Sequence, residues 1–489
     1  MGREEERLKR IWRRKAGAAA SLALAVLTAC SFGSETEETS AEPAVIKAMY
    51  WDESAFYQHF GNLFLLQHPN VELEVVSTQS IYQQGQDPIK GLKELVAKEQ
   101  PDVLLLNDYN FGSFREDGLL YELDALVAQD EEWLEGILPA AIDHLRSLGD
   151  GKLYGLAPSF SSQALFYNKK LFEQHGVPLP TDGMTWDELV ALAERFPTDG
   201  GDSERVYGLD AFRGNASIWN MFQFGSAEGL IYLDPDSKKI TLHTDSWKQV
   251  AERVKRIATS EAVFKQDSEN PDFGGSYEEF LRRDLFLTGR IAMRPDYAYY
   301  VNQLKEAAQR LEEAKELDWD VVTVPAAPNA PNGSTSFQLQ DIFAINAQST
   351  NVEAAWEFVK FIHSDDFARV TARAPVFGGL PTRVEYIRND EGKNLEAFYA
   401  SASSSSASSG PDFSRLPESF NANFFGIADK HWQAFLQDEL TAEEMLSQIE
   451  TEAQAMLDQA VEQEAAGEPG SGDAADEAPQ EAAQEAVQE

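Results

Sequence analysis

Apolar residues recur in two rhythms along the first folded stretch of the chain. Residues 45–51 (VIKAMYW) and Val71–Ser77 (VELEVVS) are rich in β-branched and aromatic positions and predict strands. Between them Phe56, Phe60, Leu63 and Phe64 return every three or four residues, which predicts a helix over 55–67. A second helix is expected over 92–98. Residues 102–106 (DVLLL) follow as a short, wholly apolar run, the pattern of a strand covered on both faces. Strand, helix, strand, helix, strand predicts an α/β body with a parallel sheet. Further on, strands are expected over 321–325 and 342–346 and a helix over 352–363. A last helix is expected over 441–457, where Thr441 and Glu444 form a capping-box pattern.

Other stretches lack any such rhythm. Residues 31–43 (SFGSETEETSAEP) are polar and predict a flexible tether. Residues 461–489 hold nine Asp/Glu and no Lys or Arg, as a disordered acidic tail would. The serine run over 401–410 predicts a surface loop.

The N-terminus changes the picture. Arg7, Lys9, Arg10, Arg13, Arg14 and Lys15 precede about fourteen small or apolar residues that end at Cys30, the one cysteine of the chain. A basic start, a short apolar run and small residues at the break describe a secretory signal over 1–29. The run is too short to span a bilayer, which takes about 20 residues. Leu27-Thr28-Ala29-Cys30 resembles the lipobox of bacterial lipoproteins, which implies a lipid on Cys30. A lone cysteine excludes an internal disulfide.

The 489 residues carry a formal charge of −41. Such a surface repels nucleic acid and anionic headgroups, so nucleic acid is excluded as a partner and any membrane attachment falls to the lipid. No HExxH, GxSxG, SxxK, P-loop or GxGxxG signature sits where its chemistry needs it, and the seven histidines are scattered. No catalytic residue, cofactor or metal site is therefore expected. Asp52 with Asp108 is the one carboxylate pair worth testing for glycoside chemistry.

In open α/β sheets ligands bind outside the carboxyl ends of the strands. Three such ends carry candidate groups: Trp51-Asp52-Glu53, Asn107-Asp108-Tyr109, and Phe160-Ser161. Trp51 and Asp52 read either as ligand contacts or as a buried tryptophan beside a helix N-cap. The Asn107 segment reads either as a ligand loop or as a self-solvating turn. Met49 and Val103 read as core.

Several segments together resemble the extracellular solute-binding proteins of ABC importers, in the carbohydrate-binding group that includes maltose-binding protein. They are 101–112 (PDVLLLNDYNFG) with 117–123 (DGLLYEL), then 151–158 (GKLYGLAP), 165–169 (LFYNK) and 185–189 (TWDEL). They continue with 286–293 (FLTGRIAM) and 355–362 (AWEFVKFI). The resemblance implies a type II two-lobed fold, each lobe a mostly parallel sheet flanked by helices. One lobe would comprise 44–156 with 339–376, the other 157–338 with 377–458, after a tether over 30–43 and before a tail from 459. Crossings would lie near 156–161, 337–342 and 377–381, with Gly378 and Gly379 as hinge or plain turn. The implied function is capture of a sugar outside the cell for membrane subunits of an importer, by a monomer anchored on the outer face of the cell membrane. The alternatives are a surface sensor of the same fold, or a carbohydrate-active enzyme. The resemblance adds Trp219, Asp296, Tyr297, Phe337, Gln338 and Phe424 to the candidate contacts. Where many relatives place a stacking tryptophan, this chain has Arg294-Pro295-Asp296-Tyr297, which implies a ligand unlike maltose, with Tyr297 as the stacking residue and Arg294 and Asp296 reading a charged or modified sugar.

Overall fold

The computed structural model describes residues 44–83, 88–129, 131–201, 204–266, 275–325, 336–339, 341–372, 379–389, 391–400, 402 and 416–466. Cys30, the tether, residues 377–378, most of the serine run and the end of the tail lie outside them. The strands are, in chain order, β1 (Ala44–Tyr50), β2 (Val71–Ser77), β3 (Val103–Leu106), β4 (Gly155–Leu156), β5 (Ser159–Phe160) and β6 (Gln163–Asn168). Then come β7 (Tyr207–Leu209), β8 (Leu233–Asp234), β9 (Lys239–Ile240), β10 (Ile291–Tyr297), β11 (Trp319–Thr323), β12 (Ile342–Ile345) and β13 (Leu380–Pro381).

They build two main sheets, β2-β1-β3-β12-β4 in the N-lobe and β11-β6-β10-β7 in the C-lobe. In each, one strand is reversed. β12 runs antiparallel to β3 and β4, and β6 runs antiparallel to β10 and β11. The C-lobe sheet therefore departs from the mostly parallel pairing expected: two of its three strand pairings are antiparallel. The reason is topological. β6 and β12 are the strands by which the chain enters each lobe from the other, so they run away from the hinge while their neighbours run towards it. Register shows this directly: Gln163 and Ala164 pair with Tyr297 and Thr323, and Ile342 pairs with Leu106. The carboxyl ends of β3, β10 and β11 thus all face the hinge.

The hinge is a ribbon of three crossings. Ser161 and Gln338 exchange two backbone hydrogen bonds of 2.9 Å, and β5 pairs antiparallel with β13. Gly379 lets the third crossing pass close, since a Cβ there would lie 3.0 Å from the Phe160 carbonyl oxygen.

The N-lobe core is aromatic. Phe56, Phe60 and Phe64 are fully buried at intervals of four, and Phe60 packs edge-on to Phe343 at 5.0 Å and stacks on Phe367 at 5.7 Å. Such pairs contribute about 0.5–1.5 kcal/mol beyond their buried area. The expected helix over 55–67 is present but starts at Glu53 and widens into a π-turn at Tyr57–Gly61. Met49 and Val103 are core residues. In the C-lobe, a helical layer of Ile218–Ala227, Asp245–Thr259, Glu418–Leu436 and Ala442–Ala466 closes on Phe222, Tyr232, Trp247 and Trp432. The last helix runs to Ala466, past the point at which the tail was expected to begin.

Candidate functional site

Because forward strands of both sheets end at the hinge, the loops after them line one cleft. Large apolar side chains normally turn inward, so exposed aromatics at these ends are informative. Trp51 follows β1 and is 43% exposed; it leans on Tyr82, ring centroids 5.5 Å apart. Tyr109 follows β3 and is 56% exposed. On the other side Trp219 is 46% exposed at the start of helix Ile218–Ala227.

A cavity of about 310 Å³ occupies the C-lobe side of this cleft. Helix Ile218–Ala227 presents one face to it through Trp219, Asn220, Gln223 and Phe224, positions that share a side at helical spacing. Tyr297 and Pro295 come from β10, and Arg213 from the loop after β7. Ser336 and Gln338 enter from the second crossing and Gln163 from the first. The wall is thus flat aromatic rings interleaved with amides, the hydroxyls of Thr185 and Ser336, the guanidiniums of Arg213 and Arg253, and the carboxylates of Asp187 and Glu228. Among the described residues no group of three or more His, Cys, Asp or Glu is placed to hold a metal.

Of the sequence candidates, Trp219, Tyr297 and Gln338 are brought together in this cavity. Trp51, Glu53 and Tyr109 are exposed after the N-lobe strands β1 and β3 and do not line this cavity. Ser161 is half-buried and holds Gln338 through its backbone. Asp52 accepts from the Ala55 amide at 2.9 Å, capping the helix that follows, while Trp51 beside it is not buried. Asn107 spends its amide oxygen on the Tyr109 and Asn110 amides and starts helix Asp108–Glu116. Asp108 accepts from the Leu339 amide at 3.1 Å and lies 3.0 Å from His144 Nε2, so it ties β3 to the second crossing. Both carboxylates of the suspected pair are engaged in folding.

Four candidates lie elsewhere than expected. Phe160 and Phe337 are buried and stack on each other at 5.2 Å, forming the floor of the hinge. Phe424 is fully buried against Phe222 and Tyr232 in the helical layer, because its helix turns that face inward. Asp296 is fully buried too. Its carboxylate meets Arg294 Nε at 2.9 Å and Arg213 Nη1 at 3.5 Å, and accepts from the Tyr297 amide. Arg294 in turn holds Asp284 at 2.7 Å, approaches Asp210 at 3.9 Å and lies over the Tyr300 ring. Arg294 and Asp296 are an internal ion cluster rather than readers of a charged ligand. Burial pushes the Asp210 carboxyl up, opposed by Arg294 and reinforced by Asp284.

Sequence reasoning missed Arg213, whose backbone sits in the left-handed region at φ 56° and whose Nη2 donates to Tyr299 at 2.6 Å. Arg213-Gly214-Asn215 after a strand is the signal that marked it. It also missed Asn220 and Gln223, whose spacing with Trp219 was legible.

Residues 34–368 match the family of bacterial extracellular solute-binding proteins. The chain belongs to that family. A Brucella abortus (strain 2308) protein named only as a binding protein is 26% identical over 392 residues, 79% of this chain and 86% of its own length. The sugar-binding protein MalE of Xanthomonas citri superposes with a TM-score of 0.61 at 15% identity, covering 85% of this chain and 98% of its own. A sugar transporter of Rhizobium etli in an open conformation gives 0.59 at 20% identity, covering 84% and 99%. The fold of this solute-binding protein is therefore the two-lobed one of those sugar-binding proteins, a family of binders rather than enzymes.

Proposed function

We propose that this solute-binding protein captures a sugar or oligosaccharide between its lobes and delivers it to the membrane subunits of an ABC importer, anchored outside the cell by a lipid on Cys30. The observation that carries this reading is the cavity at the strand ends, where Trp219 and Tyr297 alternate with Gln163, Asn220, Gln223 and Gln338. A sugar offers apolar ring faces and a rim of hydroxyls; rings take the former, and amides donate and accept at once to the latter. Trp51 and Tyr109 meet the ligand from the N-lobe when the lobes close. Closure signals occupancy because ligand touching both lobes binds the closed form better than the open one.

Thermal unfolding against mono- and oligosaccharides, with amino acids and peptides as controls, tests the reading. A ligand at 100 times its Kd stabilises by about 2.7 kcal/mol. A rise in Tm with one sugar class supports it; a rise with peptides or amino acids alone refutes the carbohydrate assignment. Recovery of the protein in the membrane fraction, lost in Cys30→Ser, tests the anchor.

A further inference from the structure

A second cavity, of about 160 Å³, lies at the hinge away from the Trp219 face, with walls in both lobes. Phe60, Phe367 and Asp341 come from the N-lobe; Lys305 and Phe398 come from the C-lobe. Asp341 stands just before β12 and is 9% exposed. Among the described residues no hydrogen bond or ion pair reaches its carboxylate, although buried carboxylates are as a rule paired or hydrogen-bonded. Lys305, half-buried on helix Tyr300–Arg310, likewise has no ion-pair partner among the described residues. Two opposite charges, neither with an ion-pair partner among the described residues, therefore line one cavity from opposite lobes, with Phe60, Phe367, Phe398 and the Arg388 side chain in the same wall.

We propose that this cavity is a second binding site, for a small zwitterion of the amino-acid class. Its ammonium group pairs with Asp341, its carboxylate with Lys305, and its aliphatic body lies on Phe60, Phe367 and Phe398. Burial alone pushes the Asp341 carboxyl up to about 6, which fits a group left without its counter-charge.

Calorimetric titration of the whole protein at pH 7.5 with glycine, β-alanine and 4-aminobutyrate tests the site, with methylamine and acetate as single-charge controls. At least one zwitterion is expected to bind with 1:1 stoichiometry, at least tenfold more tightly than either control. Asp341→Asn and Lys305→Gln are each expected to weaken it at least tenfold. Asp341→Asn keeps the shape of the side chain, and Lys305→Gln is a rim change, so a melting curve separates loss of binding from loss of fold. Absence of binding by all three at 20 mM, equal binding of methylamine, or unchanged binding in both folded variants overturns the proposal. No saccharide enters the test, so its outcome is independent of the carbohydrate reading.

Discussion

Asp341 makes a quantitative prediction about stability. Its carboxyl is raised from an ordinary 3.8 to about 6 by burial. The folded protein therefore holds this proton more tightly than the unfolded chain. The stability it confers is complete below about pH 4 and is lost as pH rises through 6. Between pH 4.5 and 7.5 the loss amounts to about 2 kcal/mol, from the linkage of one proton over that shift. Asp341→Asn removes the titration while keeping the shape. Other groups titrate in the same window; His363, fully buried and pushed down to about 4, costs stability as pH falls from 6.5. These contributions are common to both proteins and cancel in their difference. Unfolding of wild type and Asp341→Asn should therefore be compared at pH 4.5 and 7.5 in a ligand-free buffer. The variant should gain about 2 kcal/mol relative to wild type between the two. A difference that stays constant within 0.5 kcal/mol would refute the reading of Asp341 as a buried, uncompensated carboxylate.

Other substitutions separate contact from scaffold. Trp51→Ala and Trp219→Ala should each weaken saccharide by about 1–3 kcal/mol in calorimetry with an unchanged ligand-free Tm, since both side chains stand exposed. Asp108→Ala should lower the ligand-free stability by about 1–3 kcal/mol, because the Leu339 amide loses its acceptor. Arg294→Met should cost about 3–5 kcal/mol in denaturant unfolding, since it leaves Asp284 buried without its cation and Asp296 with only the more distant Arg213. Gly225→Ala should destabilise by about 1–3 kcal/mol, because a Cβ would overlap the Trp247 ring.

The alternation of strands and helices was legible because burial imposes it residue by residue. The runs 102–106 and 342–346 could only be covered strands, and the phenylalanines at 56, 60 and 64 could only face one way. Strand direction was not legible: periodicity looks the same in β12 whichever way it runs, and only the path through the hinge decides. The same limit governs the site. Trp219 and Tyr297 came from the resemblance to solute-binding proteins, not from their own pattern. Asp296 looked equally available, since sequence does not show that Arg294, beside it but for one residue, turns inward to hold it. Phe424 was misplaced for a related reason: in a helix of aromatics on more than one side, the face that meets the core is chosen by the neighbouring helices.

The position of β12 bears on the order in which the molecule assembles. The strand that sits between β3 and β4 is supplied by residues 342–345, more than 180 residues after β4. Until it arrives, β3 and β4 lack their shared neighbour and each offers an unpaired backbone edge. The segment that precedes it in the chain holds β6, β7, β10 and β11, a complete sheet of its own. The half of the protein made first is thus finished late, and its completion waits for the chain to return across the hinge. Long-range closure of this kind is slow. Refolding should show the C-lobe sheet protected from hydrogen exchange before the amides of β3 and β4.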